Sequence, residues 1–125
     1  MKDRFLVRYW VKDSKKYLNS NKLIYNDGTY TQVSTKQSPS GTYYSYILYD
    51  WNTSELIPEQ CTGLKDKNGK LIYEGDIVTD GVDIFEVVWD YNAWCIQTNN
   101  FQHFLTEGFE VIGNIHENAD LLGEK

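Results

Sequence analysis

The chain has 125 residues, 41% of them hydrophobic and 24% charged, with a net charge of −6. This length predicts one domain whose core needs no disulfide or metal staple, and this composition excludes a disordered chain. The acidic balance argues against a general phosphate-binding surface, and the sequence has no apolar run of about 18 to 20 residues that could span a bilayer.

The first half of the chain predicts short strands that are joined by turns. Asn26, Asp27 and Gly28 tolerate the backbone angles of a tight turn, so they predict a hairpin between the flanking strands. Residues 34–42 contain almost nothing apolar, and we predict an exposed loop there. We therefore expect an N-terminal β-meander, with strands over residues 5–11, 23–25, 29–33 and 43–51.

Strands in the second half are separated by stronger turn signals. The Asn68-Gly69 step is typical of a hairpin turn. In the tail, Asn118 is a capping residue and Gly123 a terminating one, which predicts a short C-terminal helical turn. Many short strands without helical periodicity predict an all-β barrel or sandwich. The predicted strands of this half are residues 61–64, 71–73, 77–79, 84–89, 93–98, 101–105 and 109–115.

Apolar side chains from several of these strands predict one small core. Phe85, Val87 and Trp89 alternate onto one side of their strand. We expect Ile77, Val87 and Trp89 to be buried together. Asp76 lies between a glycine and a strand, a position where a short carboxylate often accepts backbone N–H bonds.

The cysteines and the N-terminal residues indicate the cellular compartment in which the protein is expected. Cys61 and Cys95 are the only cysteines and form no Cys-x-x-Cys pair, so we predict buried, reduced thiols. The first residues lack the apolar run of a secretory signal. A cytoplasmic location is therefore expected.

Residues with catalytic or metal-binding chemistry have simpler structural explanations. Glu74 and Asp76 are a conceivable acid–base pair, but a turn accounts for both. His103, His116 and the two cysteines are zinc-ligand types whose spacing matches no zinc motif, and a capping hydrogen bond is the simpler role for His116. A glycine-rich phosphate loop is also missing from the sequence. We predict no catalytic residue, no metal ligand and no cofactor.

A tyrosine-rich strand is the best local indication of a binding surface. Its rings lie on both faces, so we expect one face to pack on the core and the other to be partly exposed. Core packing or cross-strand pairing is the alternative. If this strand is an uncovered edge of its sheet, it also predicts a homo-oligomer, most simply a dimer. The alternative is that residues 23–33 cover it within one chain. The candidate interaction surface comprises Tyr43, Tyr44, Tyr46, Tyr49 and Trp51.

Several segments resemble the YopX family of phage and prophage proteins. Residues 60–78 and 110–118 resemble its signature segments, and residues 87–89 match its central strand. Cys61 and Ala119 are modest departures from the family pattern. The opening strand and its lysine-rich turn are matched by Arg8, Trp10, Lys12, Lys15 and Lys16.

The resemblance implies an all-β fold and no activity, because none is assigned to the family. It implies an SH3-like small barrel formed mainly by the C-terminal half, encoded in phages or prophages. We predict a single YopX-like domain over residues 1–125, or a division into N-terminal strands (1–56) and a barrel (57–125).

The predicted function is that of a non-enzymatic protein-interaction module, a phage accessory protein in the cytoplasm of the bacterial host. Its partner is expected to be another protein or further copies of itself, with no membrane involved. The alternative is a nucleic-acid-binding small β-barrel, since such barrels often present rings and basic residues to single strands. The net charge of −6 argues against that alternative.

Overall fold

A computed structural model describes residues 6–18, 23–26 and 28–123 of the chain. The described residues are all-β, as predicted, and a 3₁₀ turn over Ala119–Leu122 confirms the helical turn expected in the tail. Phe5, the first residue of the first predicted strand, lies outside the described residues. The strands are β1 (Val7–Val11), β2 (Lys16–Tyr17), β3 (Leu23–Asn26), β4 (Thr29–Gln37), β5 (Tyr43–Asn52), β6 (Leu56–Lys65), β7 (Leu71–Tyr73), β8 (Asp76–Thr79), β9 (Ile84–Asp90), β10 (Ala93–Thr98), β11 (Phe101–Phe104) and β12 (Glu110–Asn114).

The chain divides into two compact units. Arg8–Pro58 forms the N-terminal unit, and Met1–Val7 with Glu59–Lys125 forms the C-terminal unit. A three-stranded sheet of order β3-β4-β5 belongs to the first, and a five-stranded sheet of order β11-β10-β9-β8-β12 belongs to the second. A further sheet has the order β2-β1-β6-β7.

The three-stranded sheet is the antiparallel meander that the sequence predicts. β3 and β4 flank the predicted turn, and β4 pairs with β5 along its whole length, with a bulge between Gln32 and Val33. The predicted loop over residues 34–42 is wrong for its first part, since β4 continues to Gln37. These polar residues form a strand because their backbone pairs with β5, and polarity marks exposure rather than the lack of a partner strand.

Aromatic side chains build much of the core of the N-terminal unit. Tyr9, Trp10 and Leu56 are buried, and the Tyr9 ring meets that of Tyr30 edge-on at 5.3 Å. Burial, and then the neighbouring Tyr30, raise the pKa of Tyr9 above its ordinary value. Such rings bury a large area each, which suits a unit of this size.

The five-stranded sheet of the C-terminal unit is a meander, β8 to β11, to which β12 adds by pairing with β8. It curls as a half-barrel. We call the face that carries the core the inner face and the opposite one the outer face. Alternation along the strands sends the core side chains to one face. The core consists of Ile72, Val78, Phe85, Val87, Ile96, Leu105 and Phe109.

Trp89 is not part of this core, and that prediction is wrong. Its side chain is 53% exposed and packs edge-on against Trp94 at 5.0 Å, because β9 extends past the core towards a hairpin. Ile77 and Val87 are both fully buried, but Ile77 pairs with Glu86, the neighbour of Val87, so the two side chains point to opposite faces of the sheet. The three residues are therefore not buried together.

Both thiols are buried and free, as predicted. Cys61 lies in β6 and Cys95 in β10. Asp76 also behaves as expected, since its Oδ2 accepts the backbone N–H of Tyr73 at 2.8 Å.

Candidate binding surface

The tyrosine-rich strand predicted as an interaction surface is β5, the last strand in the order β3-β4-β5. Tyr43 and Tyr44 are exposed at its start, Tyr43 by 69%. Trp51 is half-buried, and its Nε1 donates to Oε1 of Gln32 at 3.4 Å across the β4–β5 pair. The structure therefore exposes two of the predicted rings and ties a third to the neighbouring strand.

Two further residues of that predicted surface are described only by their backbone. Tyr46 pairs with Ser34 and Tyr49 with Gln32 in the β4–β5 ladder. The side chains of Tyr46 and Tyr49 lie outside the described part of the structure. The role predicted for them stays a prediction.

A second aromatic surface lies at β11, which ends the order of the five-stranded sheet. All four of its residues, Phe101, Gln102, His103 and Phe104, are exposed, and Phe104 is exposed by 61%. The sequence predicted a strand here but carried no sign that it is an edge. Solvent-exposed phenylalanines on an edge strand are unusual, because such edges invite pairing with another chain.

The register of β10 and β11 assigns these side chains to faces of the sheet. His103 pairs with the core residue Ile96, so His103 and Phe101 point to the inner face. Gln102 and Phe104 point to the outer face. The edge strand therefore presents rings on both faces.

The β9–β10 turn adds a further ring next to this edge. Tyr91 and Asn92 have φ angles of 51° and 60°, the left-handed pair of a type I′ hairpin turn. The Tyr91 side chain is 79% exposed. Asp90 joins the turn to β11, because its Oδ1 accepts the Tyr91 N–H at 2.9 Å and its Oδ2 accepts Nε2 of Gln102 at 3.1 Å.

A pocket of about 250 Å³ lies between the turn and β11, lined by Tyr91, Cys95, Gln102, His103 and Phe104. Cys95 is buried, and its Sγ lies 3.7 Å from the carbonyl oxygen of Asp90. The rings make this pocket mainly apolar. We call Tyr91, Phe101, Gln102, His103 and Phe104 the edge surface.

An acidic cleft of about 370 Å³ lies at the other end of β11, beside Phe101. Asp80 and Asp83 line it together with the Phe85 ring. The backbone N–H groups of Asp83 and Val82 donate to Oδ1 of Asp80 at 2.8 and 2.9 Å and lower its pKa. The Asp80 carboxylate is therefore charged at neutral pH.

Charge is distributed very unevenly along the sequence. Residues 71–123 contain no lysine and no arginine, whereas eleven of the 12 basic residues lie in residues 1–70. The edge surface belongs to this acidic stretch. The ten carboxylates of residues 71–123 are Glu74, Asp76, Asp80, Asp83, Glu86, Asp90, Glu107, Glu110, Glu117 and Asp120.

Two titratable side chains that the sequence singled out, Glu74 and His116, make structural contacts. Nε2 of His116 lies 2.6 Å from Oε2 of the buried Glu59. This pair could not be predicted from the sequence, because its two residues lie 57 positions apart. The capping role predicted for the His116 side chain stays a prediction. Glu74 accepts the Gln60 N–H at 3.5 Å, within a turn as predicted. Among residues 6–18, 23–26 and 28–123, no three His, Cys, Asp or Glu side chains gather as a metal site would require.

No helix in the described part of the chain is both long and apolar enough to cross a membrane.

The fold and this surface define an all-β protein whose C-terminal sheet ends in an aromatic edge within an acidic stretch. The chain belongs to the YopX family: the family model described as YopX protein matches residues 6–123. The match confirms the resemblance and includes residues 17–58, which carry no motif of their own.

The chain is also similar to a solved structure, the crystal structure of protein EF1440 from Enterococcus faecalis. The two are 29% identical, with a TM-score of 0.65, and the match covers 94% of this chain and 96% of that one. No curated protein matches the sequence.

Proposed function

We propose that this protein is a non-enzymatic interaction module that binds a protein partner through the edge surface. The observation that supports this most is the group of exposed rings at one sheet edge: Tyr91 and Phe104 line the apolar pocket, and Phe101 lies on the opposite face of the same strand. Aromatic side chains are enriched at protein interfaces, where each gives a large rigid contact area.

Backbone strain at Tyr91 supports the same conclusion. A tyrosine in the left-handed region is costly, and asparagine or glycine would suit this turn better. Strained positions that keep a demanding side chain tend to occur at functional sites. We therefore infer that the ring of Tyr91, which points into solvent beside the pocket, contacts the partner protein.

The finer predictions on fold and origin belong to the same proposal. The meander β8 to β11 and the return of β12 to β8 are consistent with an SH3-like barrel. Family membership supports a phage or prophage accessory role in the cytoplasm of the bacterial host.

The test is affinity capture from bacterial lysate, read by mass spectrometry. The immobilised proteins are the wild-type chain, a Tyr91→Ser/Phe104→Ser variant and a Tyr25→Ser control, whose exposed ring lies in the N-terminal unit. We expect a set of proteins that the wild type and the control retain and the double variant loses. The same retained set for all three would contradict the proposal, and retention abolished by nuclease would favour the nucleic-acid alternative.

A further inference from the structure

The backbone of β11 has hydrogen-bonding groups that point away from the sheet. The Leu105 N–H donates to the carbonyl oxygen of Trp94 at 2.9 Å, which identifies their pair as a hydrogen-bonded one. Hydrogen-bonded and non-hydrogen-bonded pairs alternate along antiparallel strands. The N–H and C=O groups of Gln102 and Phe104 therefore point away from β10, in the plane of the sheet.

These outward groups are not all equally available. Nδ1 of His103 lies 3.4 Å from the carbonyl oxygen of Phe104, so that acceptor has a local contact. Within the described part of the chain, the N–H and C=O of Gln102 and the N–H of Phe104 are left to pair with an added strand. This is the arrangement in which an extended peptide extends a sheet by backbone hydrogen bonds.

Two recesses flank this edge, and they lie on opposite faces of the sheet. The apolar pocket adjoins Phe104, which points to the outer face, and the acidic cleft adjoins Phe101, which points to the inner face. These residues are three positions apart, or about 10 Å along a strand. In an added strand, side chains three positions apart also point to opposite faces and match this spacing.

Charge selects the occupant of the edge. Asp80 and Asp83 line the cleft, and residues 71–123 carry no positive side chain to neutralise them. A second copy of this edge would bring the same carboxylates, and a nucleic acid would bring phosphates, so like charges would oppose both. Lysine or arginine would be attracted to the cleft, and its stem would pack on the Phe85 and Phe101 rings.

We propose that β11 binds an extended, basic segment of the partner protein, which adds to the sheet as a further strand. In that segment a lysine or arginine enters the acidic cleft, and an apolar side chain three positions away enters the pocket beside Phe104. This inference rests on the proposed function and names the chemistry of its partner.

The first test is selection of a random decapeptide display library on the purified full-length protein. We expect enrichment of peptides in which lysine or arginine is three positions from a ring or a branched aliphatic residue. Enrichment of acidic or uncharged peptides, or no enrichment, would overturn the inference.

A matched pair of variants then tests the strand pairing. Gln102→Pro removes the outward N–H and leaves the β10–β11 ladder intact, whereas Gln102→Ala keeps the N–H and removes the side chain. With a selected peptide as the probe, we expect the proline variant to bind about tenfold more weakly than the alanine variant, because both lose the side chain and only proline loses the outward N–H. Unchanged affinity in a proline variant that keeps the wild-type melting temperature would overturn strand addition.

The charge argument is tested by Asp83→Asn, with Asp120→Asn as the control at an exposed position outside the cleft. We expect Asp83→Asn to weaken a selected peptide about two- to fivefold at low salt and to reduce its salt dependence. Equal behaviour of the two variants would show that the cleft does not bind the cation.

The outcomes separate this inference from the proposed function. Lysate capture that depends on Tyr91 and Phe104, combined with a failed library selection, would leave the proposed function standing and overturn the basic segment. Self-association that Gln102→Pro abolishes would assign the edge to a second copy and also overturn it. Binding of a fluorescein-labelled oligodeoxythymidine at the edge, lost in Tyr91→Ser/Phe104→Ser, would overturn both.

Discussion

Gly75 is a residue at which both the backbone and a buried neighbour require glycine. Its φ is +85°, and a Cβ would lie 2.8 Å from Oε2 of Glu59. That carboxylate cannot easily move aside, because Glu59 is buried and His116 Nε2 lies 2.6 Å away. The pair Glu59–His116 thus explains a glycine in the family's signature segment.

Gly75→Ala is expected to destabilise the fold by about 3 kcal/mol, from the left-handed backbone and from displacing Glu59. The control is Gly69→Ala, which has nearly the same φ, +87°, and open space within 4 Å of the point where a Cβ would lie. It should lower the free energy of unfolding by only about 1 kcal/mol. Urea denaturation measures both, and equal losses would show that Glu59 does accommodate the methyl group.

Trp89 is a large ring that stabilises through one neighbour rather than through burial. We expect Trp89→Ala to lower the free energy of unfolding by about 1 kcal/mol, the scale of its edge-on contact with Trp94. Ile96→Ala, at a buried core position on the next strand, should lower it by about 2 to 5 kcal/mol. If chemical denaturation gave a larger loss of unfolding free energy for Trp89→Ala than for Ile96→Ala, Trp89 would have to be part of the core.

At the scale of elements, the β6–β7 turn is organised by one carboxylate. Oδ1 of Asp66 accepts the N–H groups of Asn68 and Lys70 at 2.8 and 2.9 Å, and Oδ2 accepts that of Val111 at 3.1 Å. Burial by itself raises the pKa of Asp66, but these three donors outweigh it and leave the pKa below 3.8. One side chain therefore ties the turn to β12.

This depressed pKa gives a pH dependence with a definite sign. The stabilisation by Asp66 is complete above its unfolded pKa and is lost as the pH falls through the lower folded value. Asp66→Asn should cost about 2 kcal/mol at neutral pH and flatten the acid limb of stability. Urea midpoints between about pH 2 and pH 7 test this. An acid limb as steep as that of the exposed control Asp120→Asn would contradict it.

The β9–β10 hairpin trades stability for an exposed ring. Asparagine tolerates the left-handed region that Tyr91 occupies, so Tyr91→Asn should stabilise the protein by about 0.5 to 1 kcal/mol. The same change should reduce partner capture if the ring is part of the binding surface. Denaturation and lysate capture are measured on one preparation. A destabilised variant would show that the Tyr91 side chain packs in the fold.

At the scale of the whole molecule, β5 supports the prediction of self-association. It ends its sheet and carries exposed Tyr43 and Tyr44, so we propose that it pairs with β5 of a second copy. Light scattering at micromolar concentration should give a dimer, and Tyr43→Lys should shift it towards monomer while Val82→Lys does not. A wild-type monomer at every concentration would rule out the dimer.

The sequence alone determined the local features of this protein. Residues that tolerate a positive φ mark hairpin turns, so the turn at Asn68-Gly69 was visible without a structure. Alternating apolar residues similarly identified an all-β chain, and residues 60–78 and 110–118 identified its family. These signals were sufficient because each depends on neighbours along the chain.

Only the tertiary structure decided burial and the edges of the sheets. Trp89 continues the apolar alternation of Val87, yet it is exposed. The core covers only the first part of β9, and the strand extends beyond it. The edge position of β11 depends on strand order, which no residue of 101–104 encodes. The Glu59–His116 pair joins positions far apart in sequence. Burial, edges and such pairs depend on which strands become neighbours in space, and non-local pairing decides that.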